Sequence, residues 1–119
     1  MKFVLSVYAD PVVMAALPAV ERDTVLDHAD FVATARESGE LVDCQTVADP
    51  STSAVVRVRD GVATVADGPY LPSPVQLAVY FLVDCEDRER AIELAASIRA
   101  ARYDAVEVRP VMLGSGMEL

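Results

Sequence analysis

The most apolar strand predicted in this chain reads Gln76-Leu77-Ala78-Val79-Tyr80-Phe81-Leu82-Val83-Asp84. Its apolar side chains alternate over both faces, with Leu77, Val79, Phe81 and Val83 on one face and Ala78, Tyr80 and Leu82 on the other. A strand that is apolar on both faces is typical of the centre of a sheet. Residues 67–74, directly before it, contain three prolines and a glycine, which predicts a loop.

The chain before this loop alternates between strand and helix signals. Residues 2–9 alternate apolar and polar positions and predict a half-buried strand. Asp10-Pro11 places an N-cap residue before a proline and predicts a short helix over residues 11–16, while Pro18 and Gly39 delimit a longer helix from about 18 to 38.

A strand at 41–48 and a hairpin follow that helix. The hairpin joins 55–59 to 62–66 through Asp60-Gly61, a pair that suits a type I′ turn because both of its central residues need positive φ. Beyond the central strand we expect a helix at about 86–101 and a last strand at 105–112.

The resulting order is β-α-β-(β-hairpin)-β-α-β, which predicts an α+β, ferredoxin-like sandwich with an antiparallel sheet and two main helices on one face. The 119 residues make one domain spanning 1–119. A chain this short buries a limited part of its surface alone, so we expect a homodimer.

Composition excludes several classes of partner. The formal charge of −9, with a single lysine, Lys2, argues against nucleic acid and against an anionic membrane surface. The apolar start of the chain is too short for a signal peptide or a membrane span, and Asp10-Pro11 ends it. Cys44 and Cys85 lie far apart, which is typical of reduced cysteines in a cytoplasmic protein.

Two short motifs carry a family resemblance: Asp67-Gly68-Pro69-Tyr70, and Val106-Glu107-Val108-Arg109-Pro110-Val111 near the C-terminus. Together with the order of elements around them, they resemble the YCII-related family, in its branch named after an Asp-Gly-Pro-Phe motif, over almost the whole chain. The resemblance implies a dimeric ferredoxin-like αβ fold of the dimeric α/β-barrel type. Some relatives outside this branch are cofactor-independent enzymes, including a hydrolytic dehalogenase type that uses a His–Asp pair.

The resemblance also implies catalytic positions. In YCII-like members a histidine precedes the helix-ending glycine by eleven residues, as His28, the only histidine, precedes Gly39 here. The acidic partner in the family would fall on Asp67. Histidine is a natural general acid and base because its ordinary pKa of about 6.5 lies near neutral pH. Alternatively, His28 is an ordinary boundary residue and Asp67 shapes a turn.

This chain departs from the family in the loop after the motif. Charged residues and a glycine pair that are usual there are replaced by the prolines and apolar residues of 71–79, and Tyr70 replaces a phenylalanine. A stiffer and more apolar loop beside Asp67 predicts a pocket for a less polar ligand, or is simply drift. Tyr70 is a candidate ligand-binding residue on this loop.

Three further side chains are candidates for ligand binding on the sheet. Tyr8 and Tyr80 could share a sheet face and bind a carbonyl or carboxylate through their hydroxyls, or be core aromatics. Arg109 could bind a ligand carboxylate or pair with Glu107 or another acid. One histidine and two scattered cysteines do not predict a metal site, no glycine-rich phosphate loop is present, and we expect no cofactor.

Two functions remain open from the sequence. The first is a cofactor-independent isomerase, lyase or hydrolytic dehalogenase that binds a small organic molecule and uses His28 and Asp67. The second is a dimeric ligand-binding or regulatory accessory protein without catalysis.

Overall fold

The computed structural model describes residues 1–26 and 28–113. Its helices and strands follow the chain in this order: β1 (Lys2–Ala9), α1 (Pro11–Ala16), α2 (Ala19–Leu26), α3 (Ala29–Glu37), β2 (Leu41–Thr46), β3 (Ala54–Arg59), β4 (Val62–Asp67), β5 (Gln76–Asp84), α4 (Arg88–Ala96) and β6 (Ala105–Pro110). Two single 3-10 turns, Pro50–Thr52 and Arg99–Arg102, complete it. The sequence predicts a loosely ordered C-terminal tail at 114–119, and these residues lie outside the described ones.

Four strands form the main sheet in the order β2-β5-β1-β6, and every neighbouring pair is antiparallel. This is the strand order of a ferredoxin-like sandwich, so the predicted α+β class is confirmed. The strand predicted at the centre, β5, lies between β2 and β1. None of the described helices is long and apolar enough to cross a membrane.

The core lies between one face of this sheet and the helices. Alternate residues of β1 and β5 point into it, and the largest fully buried side chains there are Phe3, Leu5, Val7, Phe81 and Val83. Helices α3 and α4 cover that face with their buried residues, among them Phe31 and Leu94. The opposite face of the sheet has no helix in the described chain, and its side chains in β1 are half-buried.

Several helix ends and turns lie at the positions that the sequence predicted, because short-range interactions determine them. Asp10 caps α1, because its carboxylate accepts a hydrogen bond of 2.9 Å from the Val12 N–H. Asp60 and Gly61 have φ angles of 53° and 75°, as the hairpin turn between β3 and β4 requires. Gly39 has φ of 78° just past α3, which is the conformation of a helix-ending glycine.

Two predicted helices are shorter than expected. The helix expected over 18–38 is two helices, α2 and α3, because His28 has φ −98° and ψ 10° and α3 starts only after it. The helix expected over 86–101 ends at Ala96. The Ser97 hydroxyl donates a hydrogen bond of 2.6 Å to the Leu94 carbonyl at this end. Ile98 follows in an extended conformation, and its side chain is fully buried.

One bidentate ion pair joins the end of α3 to the start of α4. The Arg90 guanidinium donates to both carboxylate oxygens of Glu40, at 2.9 Å and 2.8 Å, and the Glu40 side chain is only 15% exposed. These hydrogen bonds from Arg90 hold the pKa of Glu40 below its ordinary value of 4.5. A depressed carboxyl pKa contributes stability that is present above the ordinary pKa and is lost as pH falls through the native one.

We therefore expect Glu40→Gln to be less stable than the native protein at pH 7, with the difference shrinking as the pH falls below about 4.5. Urea unfolding at pH 7 and pH 3 measures both values. Glu93→Gln is the matched control, because Glu93 makes a single, more exposed bond of 3.1 Å to the same arginine. A constant difference between Glu40→Gln and the native protein over this pH range would contradict the assignment.

Candidate functional site

One apolar cavity lies at the end of the sheet where β1 and β2 finish and β5 starts. Its volume is about 400 Å³, within the range of small-molecule sites. The cavity is bordered by helix α1, by Arg22 of α2, by His28 and by the loop after β2. The lining residues are Ala9, Pro11, Met14, Ala15, Arg22, His28, Thr46, Val47, Ala48, Asp49, Pro50, Gln76, Leu77, Ala78 and Val79.

A break in strand pairing shapes the cavity wall. Val7 pairs with Val79, but the next residue, Tyr8, pairs with Leu77, so Ala78 has no partner in β1. On its other side the Ala78 carbonyl accepts a hydrogen bond of 3.0 Å from the Val47 N–H, which carries the loop after β2 along the cavity. β-Bulges of this kind bend a strand and are enriched beside functional sites.

His28 reaches the cavity from the start of α3, where its carbonyl accepts the Val32 N–H at 2.9 Å. Its half-buried ring packs edge-on against Phe81, with ring centroids 5.5 Å apart and an interplanar angle of 82°. Phe81 is fully buried and itself packs edge-on against Phe31 at 4.7 Å. The hydrophobic core therefore orients the imidazole, which is the type of support that a reacting side chain needs.

Asp49 is the carboxylate on the cavity lining. It caps the 3-10 turn Pro50–Thr52, and its Oδ1 accepts a 2.9 Å hydrogen bond from the Ser51 N–H. Hydrogen bonding from Ser51 lowers the pKa of Asp49, because it favours the charged form. This group is thus a fixed negative charge at neutral pH rather than a proton donor.

The other polar side chains of the lining are Arg22, Thr46 and Gln76. Arg22 supplies a positive charge from α2. The Gln76 amide donates to the carbonyls of Leu71 and Ser73 at 2.9 Å and 2.8 Å, so it ties the proline-rich loop to the start of β5. The cavity combines an apolar body with one carboxylate, one guanidinium and one imidazole, which is an arrangement suited to an amphipathic small molecule.

Asp67 has a different setting from His28. It is the exposed last residue of β4 and pairs with Ala54, and the following Gly68 N–H donates to the Ser53 carbonyl at 2.7 Å. Gly68 has φ of 98°, so this turn requires a glycine. Among the described residues that line the cavity, Asp67 is not included. A contact between Asp67 and His28 stays a prediction.

The other predicted binding residues also lie outside the described cavity lining. Tyr8 and Tyr80 are half-buried side chains of β1 and β5 on the sheet face without helices. Tyr70 is 68% exposed, and the Arg57 guanidinium carbon lies 5.3 Å from its ring centroid. The Arg109 guanidinium donates a hydrogen bond of 2.7 Å to the Glu107 carboxylate. This pair is the alternative to ligand binding that the sequence left open for Arg109.

Metal binding has no support in the described chain. Over residues 1–26 and 28–113, no group of three or more histidine, cysteine, aspartate or glutamate side chains could hold a metal ion. Cys44 and Cys85 are free thiols, and burial raises the pKa of each. Neither is a reactive thiolate at neutral pH.

Comparison with known proteins identifies the family. A sequence model of the YCII-related domain matches residues 1–114. The chain belongs to the YCII-related family. It is also similar to an uncharacterized protein of Rhizobium meliloti (strain 1021), with 30% identity over 112 residues that cover 92% of this chain and 82% of that protein.

Sequence reasoning missed Asp49 and Arg22. Asp49-Pro50-Ser51 has the sequence pattern of a capped turn, and the hydrogen bond from the Ser51 N–H to Asp49 is the bond that such a turn makes. The pattern therefore gives no sign of a ligand site. Arg22 is one of several charged residues on an otherwise polar helix. Only the fold brings both of them to the cavity that His28 lines.

We expect Ala15→Phe to weaken binding of an apolar fluorescent anion, such as an anilinonaphthalene sulfonate, by about tenfold or more, because the ring would fill part of the cavity. Fluorescence titration gives the dissociation constants. Ala16→Phe is the control, since Ala16 is the next exposed residue of α1 and does not line the cavity. Equal affinities of the two variants would show that the dye binds elsewhere.

Proposed function

We propose that this YCII-related protein is a cytoplasmic, cofactor-independent acid/base enzyme that binds a small, mainly apolar organic molecule beside His28. The reaction class is isomerisation, elimination or hydrolytic dehalogenation of a carbonyl-bearing or cyclic compound. The observation that supports it is the position of the only histidine, on the lining of an apolar cavity of about 400 Å³.

The chemistry follows from the three charged or ionisable side chains of that lining. An imidazole can both accept and donate a proton near neutral pH, so His28 would move the proton at the reacting carbon or oxygen. Arg22 would attract an anionic group of the substrate, such as a carboxylate. The apolar remainder of the lining would hold the hydrocarbon part and keep water from the reacting atoms.

Two carboxylates, Asp49 and Asp67, are candidates for the negatively charged partner of the His28 imidazole. The family resemblance favours Asp67, whereas Asp49 lies on the same cavity lining as His28. A carboxylate close to a protonated imidazole stabilises that form and raises its pKa. Because Asp49 shares the lining with His28, we expect it to act on His28 more strongly than Asp67 does.

A rival function is ligand binding without catalysis, as in a regulatory accessory protein. One observation favours it: of the described residues on the cavity lining, only His28 is of a type whose ordinary pKa lies near neutral pH. A reaction that needs a separate acid and base would have to use His28 for both steps.

An NMR pH titration of the imidazole tests the site directly, since the chain has one histidine. We expect Asp49→Asn to lower the titration midpoint of His28 by more than Asp67→Asn does, because Asp49 lies on the same cavity lining as His28. Asparagine can still cap the turn after position 49. The opposite ranking would restore the His28–Asp67 pair, and two unchanged midpoints would exclude both carboxylates as partners.

Catalysis is tested with His28→Phe, which keeps an aromatic ring against Phe81 but cannot transfer a proton. On a substrate found by screening carbonyl-bearing and cyclic compounds, we expect a loss of kcat of about a hundredfold or more. The dye affinity should change little, which separates loss of chemistry from loss of the cavity. Full activity of His28→Phe would refute the proposed role, and ligand binding without turnover by the native protein would favour the rival function.

We also propose that two copies pair through the sheet face that carries Tyr8 and Tyr80. Val4 and Leu82 lie with them on this face, half-buried although no helix of the described chain covers it. A face of this kind is typical of a sheet that packs against another sheet.

Leu82→Lys should weaken the pairing, because it places a charge among the apolar side chains of that face. We expect the dimer dissociation constant to rise about tenfold or more, measured by sedimentation equilibrium. Lys2, the first residue of β1, gives the control variant Lys2→Gln. A native protein that sediments as a monomer would refute the pairing itself.

A further inference from the structure

The pairing of β1 with β5 decides which side chain at the start of β5 faces the cavity. Ala9, the last residue of β1, lies on the face that the helices cover. The register up to Val7 would place Leu77 opposite Ala9. The pairing skips Ala78, however, and Gln76 takes that place. Directly opposite residues of an antiparallel pair share a face of the sheet, so the bulge turns Gln76 to the helix-covered side.

The bulge therefore exchanges an apolar side chain for a polar one on the helix-covered side. Leu77 lies opposite Tyr8 on the other face and is 36% exposed, whereas Gln76 is half-buried and lines the cavity. Regular alternation along β5 would give the reverse arrangement. An amide among apolar side chains costs free energy unless its polar atoms find partners, so the partners of Gln76 show what this position is built to bind.

The proline-rich loop fixes the orientation of the Gln76 amide. Nε2 donates to the carbonyls of Leu71 and Ser73 at 2.9 Å and 2.8 Å. Two carbonyl oxygens can face only the nitrogen of an amide, and they use both of its hydrogens. Oε1 has no hydrogen-bond partner in residues 1–26 and 28–113, and it is not sealed from solvent. Gln76 thus offers the cavity a hydrogen-bond acceptor and no donor.

Arg22 offers the same cavity the opposite kind of group. Its guanidinium is half-buried, always charged and a donor only. Over the described ranges it forms no ion pair with an acid, although Asp49 lies on the same lining. A ligand that satisfies both Arg22 and Gln76 therefore carries an anionic acceptor, such as a carboxylate, and a separate hydrogen-bond donor.

The donor that suits Gln76 is a neutral one. Its Oε1 carries no formal charge, and transfer of an ammonium group from water to an apolar cavity costs far more free energy than transfer of a hydroxyl. A hydroxyl group has one hydrogen to donate, which one amide oxygen accepts.

We propose that Gln76 selects the substrate by accepting a hydrogen bond at Oε1 from a hydroxyl group, while Arg22 binds a carboxylate of the same molecule. The substrate class is then a hydroxy monocarboxylic acid with a hydrocarbon body. This inference rests on the function proposed above and names the kind of molecule that reaches His28. Gln76 acts in specificity and does not transfer a proton.

The unmodified protein tests the hydroxyl directly through displacement of the anilinonaphthalene sulfonate dye. The probes are phenylacetate, its ortho, meta and para hydroxy derivatives, and the corresponding methoxy derivatives. We expect the best hydroxy isomer to bind about fivefold or more tightly than phenylacetate, the effect of one well-placed hydrogen bond. The methoxy derivative with the same ring position should lose this gain, because it keeps the oxygen but has no hydrogen to donate.

Two substitutions of Gln76 separate its acceptor from its bonds to the loop. Gln76→Met removes both, whereas Gln76→Lys keeps donors for the loop carbonyls and has no acceptor. Each should reduce the preference for the hydroxy acid over phenylacetate to about onefold. Gln45→Met is the matched control, because Gln45 is an exposed glutamine of β2 that does not line the cavity. Arg22→Gln should weaken both acids alike and leave the preference unchanged.

The outcomes distinguish this inference from the proposed function. Acids that bind without preference for a hydroxyl, or dye that no acid displaces, would overturn the substrate class and leave the His28 test standing. A preference that survives in Gln76→Lys would assign the hydroxyl to another acceptor and overturn the role of Gln76. Tighter binding of an aminomethyl derivative would replace the hydroxyl by an ammonium group. A cavity that binds neither dye nor acid would refute both proposals.

Discussion

The antiparallel pairing of β1 with β5 is the constraint on which the rest of the structure depends. Leu5 lies opposite Phe81, and Phe3 opposite Val83, so one register places the largest buried side chains side by side on a single face. A shift of one residue would turn all of them to the other face of the sheet. The helices can cover only the face that this register makes apolar and bulky.

The same register positions the candidate site. Phe81 lies in the middle of the buried face, and its ring contacts both Phe31 of α3 and the imidazole of His28. The pairing then skips Ala78, at the end of the sheet where the cavity opens. Core packing and site geometry thus share one residue, and substitutions of Phe81 would disturb the imidazole as well as stability.

Local chemistry explains which parts of the fold could be predicted from the sequence. The capped start at Asp10-Pro11, the Asp60-Gly61 turn and the alternation in β5 depend on neighbours within a few residues, and the structure has them where the sequence indicates. The interruption before α3 was missed because the apolar spacing continues through it. Helix propensity differs little among these residue types, and contact of His28 with Phe81, 53 positions away in the chain, is invisible to a local pattern.

The candidate site was predictable only in part, for the same physical reason. His28 was found because it is the single histidine and matches a family spacing. Asp49 and Arg22 reach the cavity from a loop and a helix that the sequence gives no reason to bring together. A carboxylate whose hydrogen bond already serves its own turn looks structural in sequence, although the fold places it on the lining of an apolar cavity.

The charges on the cavity lining also limit what could bind there. An apolar cavity with one carboxylate on its lining disfavours a doubly anionic ligand, since like charges repel. Arg22 can neutralise one negative group, so a monoanion with a hydrocarbon body satisfies both the charge and the apolar surface. In a chain with a net charge of −9, attraction over long distance does not favour anions, and the apolar body of such a ligand must supply most of its affinity.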